Sequence, residues 1–186
     1  MKRKSVAAAG LALLLGQAVL MLVGPVQARI SRTNTSSMSW SCGVERWKVK
    51  TLQDRPTLHT AKTATIAQLI VVPKPVPLPG TRAPYEYNQF KVTAAVTKVI
   101  PEADGDLHLV ISDGTHTMIA EAPTATCNTG ATTYRRNQMK NARAAAKVCT
   151  HAQLTGVAFF DFFHHQTGVA PNEIELHPLL AFKCVA

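Results

Sequence analysis

Residues 161–178, DFFHHQTGVAPNEIELHP, hold the densest group of side chains able to do chemistry. Asp161, His164, His165, Gln166 and Asn172 come first, then Glu173, Glu175 and His177. Alternation along an extended chain puts Glu173, Glu175 and His177 on one face, with Ile174 and Leu176 on the other. Two chemistries suit the set. Asp161, His164, Glu175 and His177 offer the imidazole and carboxylate groups that hold zinc or manganese. The same four supply carboxylate and histidine for general acid–base hydrolysis, with phosphodiesters as one substrate class. No H-E-x-x-H or similar spacing is present, so a bland alternative stands beside both. In it, these groups pin a long loop by hydrogen bonds near the bend at Pro178.

A second candidate is basic. Arg136, Lys140, Arg143 and Lys147 recur at spacings of four, three and four, one stripe along a helix. Such a stripe can contact phosphates or anionic headgroups, or can be an ordinary solvated face. Together with His108, His165, Gln166 and Asn172, these are the candidate ligand-binding residues. There is no GxSxG and no Gly-rich phosphate loop.

The elements that must position these residues follow from pattern. Glu45–Thr51 alternates and predicts a strand; Thr65–Val71 predicts a short helix behind a Thr cap. Pro73, Pro75, Pro77 and Pro79 impose an extended connector. Tyr85–Ile100 reads as one long strand, 106–112 as a second with His108 outward, and 117–121 as a third. Asp-Gly turns join them. Tyr134–Cys149 is rich in Ala, Met, Arg and Lys and predicts a helix. Strands follow at 153–160, with a bend at Gly156, and at 173–184, interrupted by Pro178. Three hairpin-joined strands, a helix and two strands is the order of an OB-fold: a mainly β, five-stranded Greek-key barrel with one long helix. The loop 161–172 would then border the binding face.

The chain opens with Lys2, Arg3 and Lys4, an apolar run to Val23 and the small-x-small site Val26-Gln27-Ala28. This is the pattern of a cleaved secretory signal peptide at 1–28, leaving no transmembrane segment and a secreted or periplasmic product. A polar lead-in at 29–41, an extension at 42–84 and the barrel at 85–186 complete the organisation. Losing three basic residues lowers the formal charge from +9 to +6, against eleven acidic residues in all. An oxidising compartment turns Cys42, Cys127, Cys149 and Cys184 into two disulfides. Cys127–Cys149, closing the segment that holds the helix, and Cys42–Cys184 are the expected pairs.

Cys42-Gly-Val-Glu-Arg-Trp47-Lys-Val-Lys-Thr51, His108–Asp113, Thr117–Pro123 and Gly168-Val-Ala-Pro-Asn172-Glu-Ile-Glu-Leu-His177-Pro178 resemble an uncharacterised family of exported bacterial proteins. The resemblance covers about residues 42–182. It implies one β-rich domain with the segment around Glu45–Trp47 integral to it, and no established activity. Members read His-Gly-Gln where this chain has His164-His165-Gln166, and glycine there permits positive φ.

The expectation from sequence is an exported OB-like binding module for an anionic polymer (nucleic acid or polysaccharide) or a cell-envelope component. It requires no cofactor. A metal-assisted hydrolase using a divalent ion at Asp161, His164, Glu175 and His177 is the alternative, and a structural or partner-binding domain is a third class.

Overall fold

The antiparallel hairpins expected from the Asp-Gly turns form, and the sheet they begin closes on itself. A computed structural model describes residues 42–185; the expected signal peptide at 1–28 and lead-in at 29–41 lie outside the described residues. In chain order the elements are α1 (Trp47–Lys50), β1 (Lys62–Thr63), α2 (Ile66–Leu69) and a 3-10 turn (Pro84–Tyr87). Next come β2 (Gln89–Pro101), β3 (Leu107–Ser112), β4 (Thr117–Ala122) and a 3-10 turn (Ala125–Cys127). Last are α3 (Thr133–Ala145), β5 (Cys149–Phe160) and β6 (Ile174–Cys184). The strand order is β1-β2-β3-β4-β6-β5, and β2 also pairs with β5. Strands β2 to β6 therefore make a closed five-stranded barrel in which β4 and β6 run parallel and the other neighbours antiparallel. This is the OB-fold closure. β1 adds to β2 in parallel from outside.

Phe90, Val92, Ala94 and Val96 alternate into the barrel, where they meet Leu109, Ile111, Leu154, Phe160 and Leu176. A smaller apolar cluster lies outside the wall, where Leu52 and Met139 pack on Val157 and Leu180. That outer layer explains why β6 is buried on both faces over Ile174–Leu180. Thr65 caps α2 with a reciprocal box to Gln68. No helix among the described residues is long and apolar enough to cross a membrane.

Several expectations need correction. Glu45–Thr51 is not a strand: Trp47–Lys50 is one helical turn. The first barrel strand begins at Gln89, because Pro84–Tyr87 is a 3-10 turn. The long helix ends at Ala145, so Lys147 is off it and the basic stripe is one residue shorter. Pro178 does not interrupt β6. It falls at an irregularity between the Gly156–Leu179 and Ala158–Leu176 pairs, where a missing N–H costs no ladder bond. His165 has φ 58, a left-handed backbone that glycine would adopt freely.

The disulfides pair otherwise than expected: Cys42 with Cys127 and Cys149 with Cys184, at Cα separations of 5.5 and 6.0 Å. Antiparallel pairing is the reason. β5 starts at Cys149 and β6 ends at Cys184, so the register Ala152–Cys184 brings the two together. Cys127 is left at the other end of the molecule, where Trp47 donates to its carbonyl at 3.0 Å and holds the Cys42 segment nearby.

Peptide mapping of unreduced protein is expected to recover Cys42–Cys127 and Cys149–Cys184 only. By loop length the two bridges contribute about 4.5 and 4 kcal/mol in the chain-entropy model. A Cβ at Gly156 would lie 2.7 Å from Leu176 Cβ and 3.3 Å from the Pro178 carbonyl. Gly156→Ala should cost about 1–3 kcal/mol, read as a lowered urea midpoint.

Candidate functional site

One end of the barrel holds a network of buried charge. β3 carries His108 and β4 carries Glu121 directly opposite it. β6 contributes Glu175 and His177, the turn before β3 contributes Asp106, and the residue after β5 is Asp161. α1 supplies Lys50. All seven side chains are buried, and Asp106 and His177 are fully enclosed.

The contacts run in a chain. Lys50 Nζ lies 2.8 Å from Asp161 Oδ2. His177 Nδ1 is 3.1 Å from Glu175 Oε1 and 3.0 Å from Glu121 Oε2. His108 Nδ1 is 3.0 Å from Glu121 Oε1, and His108 Nε2 is 2.9 Å from the Thr167 carbonyl. Both partners of His108 only accept, so both ring nitrogens donate and the ring is an imidazolium. His177 Nε2 lies 3.3 Å from Asp106 Oδ2, within ion-pair reach but not aligned as a hydrogen bond.

Burial opposes every charge here, and the partners decide which survive. Burial, reinforced by the Glu121 and Asp161 charges, pushes Glu175 up to about 7. Burial also raises Asp106, although His177 opposes it. For Glu121 burial is outweighed by hydrogen bonds from His108 and His177, which hold it well below the usual carboxylate range. Lys50 is penalised by burial, but Glu175, Asp161 and Glu121 more than compensate and raise it. His177 and His108 likewise resist desolvation through their carboxylate partners and titrate above an ordinary histidine.

An open cleft of about 240 Å³ lies against this network. Lys50 forms part of its wall, with Glu45, Glu102, Asp104, His164 and Gln166 around it. His164 Nε2 is 2.9 Å from Glu45 and 3.9 Å from Asp161. The mouth is therefore largely acidic.

The four residues that sequence grouped for metal or catalysis are divided. Glu175 and His177 are inside, Asp161 is at the boundary on Lys50, and His164 faces solvent. Glu173 does not share a face with them in function: it pairs with Lys74 at the surface. His108 does point away from the barrel core, as alternation requires, but it is buried because the loop after β5 folds over that face of β3 and β4. Thr167 accepts from His108, and a Cβ on Gly168 would meet Val110 at 2.7 Å. Asn172 donates to the Leu69 and Val72 carbonyls and so anchors that loop. Gln166 donates to Glu102 at 3.4 Å, and His165 is exposed with its ring edge-on to Phe163. Arg143 donates to the Ala122 carbonyl, Arg136 is half-buried, and Lys140 and Lys147 are exposed.

Lys50, Glu121, Asp106 and Glu45 were missed. One signal was available: counting back from the Asp113-Gly114 turn places Glu121 opposite His108. Another buried pair was missed as well. Arg46 binds Glu86 through two contacts of 2.5 and 2.7 Å and donates to the Phe160 carbonyl at 2.7 Å.

No family model matches the chain, and no curated protein does. Among solved structures it is similar to "Aspartyl tRNA synthetase from Entamoeba histolytica", with 14% identity and a TM-score of 0.45 over 67% of this chain and 21% of that one. A second, titled "putative aspartyl-tRNA synthetase from Leishmania major Friedlin", gives 12% identity and a TM-score of 0.40 over 68% and 21%. The chain spans about a fifth of the length of either. The strand order carries the fold assignment by itself. It is an OB barrel.

Two variants separate the carboxylates. Glu121→Gln leaves two imidazolium rings short of their counter-charge and should cost about 3–5 kcal/mol. Glu175→Gln replaces a carboxyl that is already about half protonated at neutral pH, and should cost less than Glu121→Gln, about 1 kcal/mol. In chelator, stability should fall as pH rises from about 6 to 9. Glu175, His108 and His177 bind protons more tightly folded than unfolded, and rising pH strips the protons that the folded state holds. Glu121 acts oppositely and loses its contribution as pH falls through and below about 4. A urea midpoint that rises between pH 6 and 9 would contradict this.

Proposed function

We propose that the chain is an exported OB-fold module that binds an anionic polymer along its barrel wall. The observation that carries the reading is charge segregation. Burial removes five of the eleven acidic residues of 42–185 (Glu86, Asp106, Glu121, Asp161 and Glu175) but only three of the fifteen Lys and Arg. Twelve basic residues stay outside against six acidic ones. Of those six, Asp54 is paired with Arg82 and Glu173 with Lys74, Asp113 caps its own turn, and Glu45, Glu102 and Asp104 line the mouth.

The wall is different. The exposed positions of β1, β2, β5 and β6 include Lys62, Lys91, Lys98, His151 and Lys183, and no carboxylate. Register sets Lys91 beside Thr155, and Gln153 between Thr93 on one side and Lys183 on the other. An OB barrel commonly takes its ligand on the second and third strands and the loops at their ends. Here that face is filled by residues 164–170, and the mouth beside it would repel phosphates. The wall is the surface left for a polyanion. Exposed Phe162 and Phe163, with Lys74 over the Phe162 ring, add stacking surface of the kind single-stranded nucleic acid uses. The signal-type segment at 1–28 and the two disulfides support a location outside the reducing cytosol.

The test is binding of single-stranded DNA and of an acidic polysaccharide across a salt series. Four phosphate contacts predict a log–log salt slope of about −3 on single strands. Lys91→Glu combined with Lys183→Glu should abolish measurable binding, and Phe163→Ala should weaken nucleic acid by roughly 1–3 kcal/mol. No binding of either polymer at low salt would remove the reading.

One observation favours a second reading, metal-assisted hydrolysis: Glu45, Asp161 and His164 converge at the open mouth and could share a cation. Phosphodiester cleavage that requires Mn2+ or Mg2+ and disappears in His164→Ala would establish it.

A further inference from the structure

We infer that Asp106, Glu121 and His177 form a structural site for one divalent ion of the zinc type, sealed against the outer face of the barrel wall beneath the loop after β5. The inference is independent of polymer binding and separate from the mouth. Asp106 is fully buried, yet neither carboxylate oxygen has a hydrogen-bond partner. His177 Nε2 is also enclosed without one. Groups this deep are ordinarily satisfied, because leaving a carboxylate dry and unbonded is costly. The two unbonded groups face each other at 3.3 Å. That is the edge of a tetrahedron with bonds of about 2.0 Å, the length of zinc–nitrogen and zinc–oxygen bonds.

Glu121 brings the third donor: one ligand atom from each of Asp106, Glu121 and His177 lies within 4.8 Å of the others. Outer contacts orient these donors as they do around known metals. His177 turns its other nitrogen, Nδ1, toward Glu175 at 3.1 Å, and the same nitrogen lies 3.0 Å from Glu121 Oε2. His108 fixes Glu121 from the opposite side at 3.0 Å and is itself fixed by Thr167. One imidazole and two carboxylates suit zinc, with manganese next. All four cysteines are in disulfides, so no thiolate competes for the ion.

The experiment uses the untagged full-length chain with its disulfides intact, unfolded in urea with EDTA and refolded with or without Zn2+. About one zinc per chain should survive gel filtration, and the Tm should exceed that of the EDTA-refolded protein by about 5 °C or more. Asp106→Asn should reduce retained zinc at least tenfold, while His164→Ala should leave it unchanged. In 15N-histidine-labelled wild type, zinc should shift the His177 ring nitrogens and leave those of His164 in place. This last readout stands even if Asp106→Asn fails to fold. Less than about 0.1 zinc per chain with no Tm change would overturn the site. So would zinc that Asp106→Asn retains and His164→Ala loses, since that ion would sit at the mouth. Failure of polymer binding would leave these measurements untouched.

Discussion

The Lys50 ammonium on Asp161 is the contact on which the barrel end depends. Without Lys50, Asp161, Glu175 and Glu121 would crowd around one another with only the two histidines as counter-charge. An uncompensated buried charge is costly, so the cation must be delivered to an exact depth. A single helical turn at Trp47–Lys50 does this, and its position is set from both sides. Arg46 locks onto Glu86 and the Phe160 carbonyl, and Trp47 docks on the Cys127 carbonyl next to the Cys42–Cys127 bridge. Residues ahead of the barrel are therefore part of its interior chemistry.

Much of the barrel was legible because its signals are local. Asp113-Gly114 fixes a hairpin, alternation over Phe90–Val96 fixes a face, and Ala-rich composition fixes α3. What failed needed knowledge of what packs outside. Alternation places His108 opposite in sense to Leu109, and this is correct. The inference that "opposite" means solvent was wrong, since a loop some sixty residues later in the chain covers that face. The same assumption hid Glu121 and Asp106, which look like surface carboxylates in any one-strand view. α1 was misread because four residues are too few to distinguish a helical period from alternation, and Trp47 and Val49 satisfy both. The disulfides were misjudged by thinking of enclosed segments rather than of antiparallel ends.

The buried network also shapes the outside. Drawing carboxylates inward leaves the wall more basic than composition suggests, while the acids that remain outside collect at the mouth or are paired. Internal satisfaction and a basic outer wall are thus two results of one distribution of charge. The loop that covers β3 and β4 both completes the network, through Thr167, and displaces a ligand from the face an OB barrel ordinarily offers.

Glu175 and His177 lie on the last strand, and their partners come from α1, β3, β4 and the end of β5. During synthesis, Lys50, His108 and Glu121 therefore emerge long before Glu175 and His177. A nascent chain that lacks β6 has an open barrel; Lys50 can still meet Asp161 and His108 can still meet Glu121, but Glu121 lacks its His177 contact. Only the finished polypeptide can close the barrel between β4 and β5. The last strand is therefore the keystone of both the closed sheet and the charge network that lies against it.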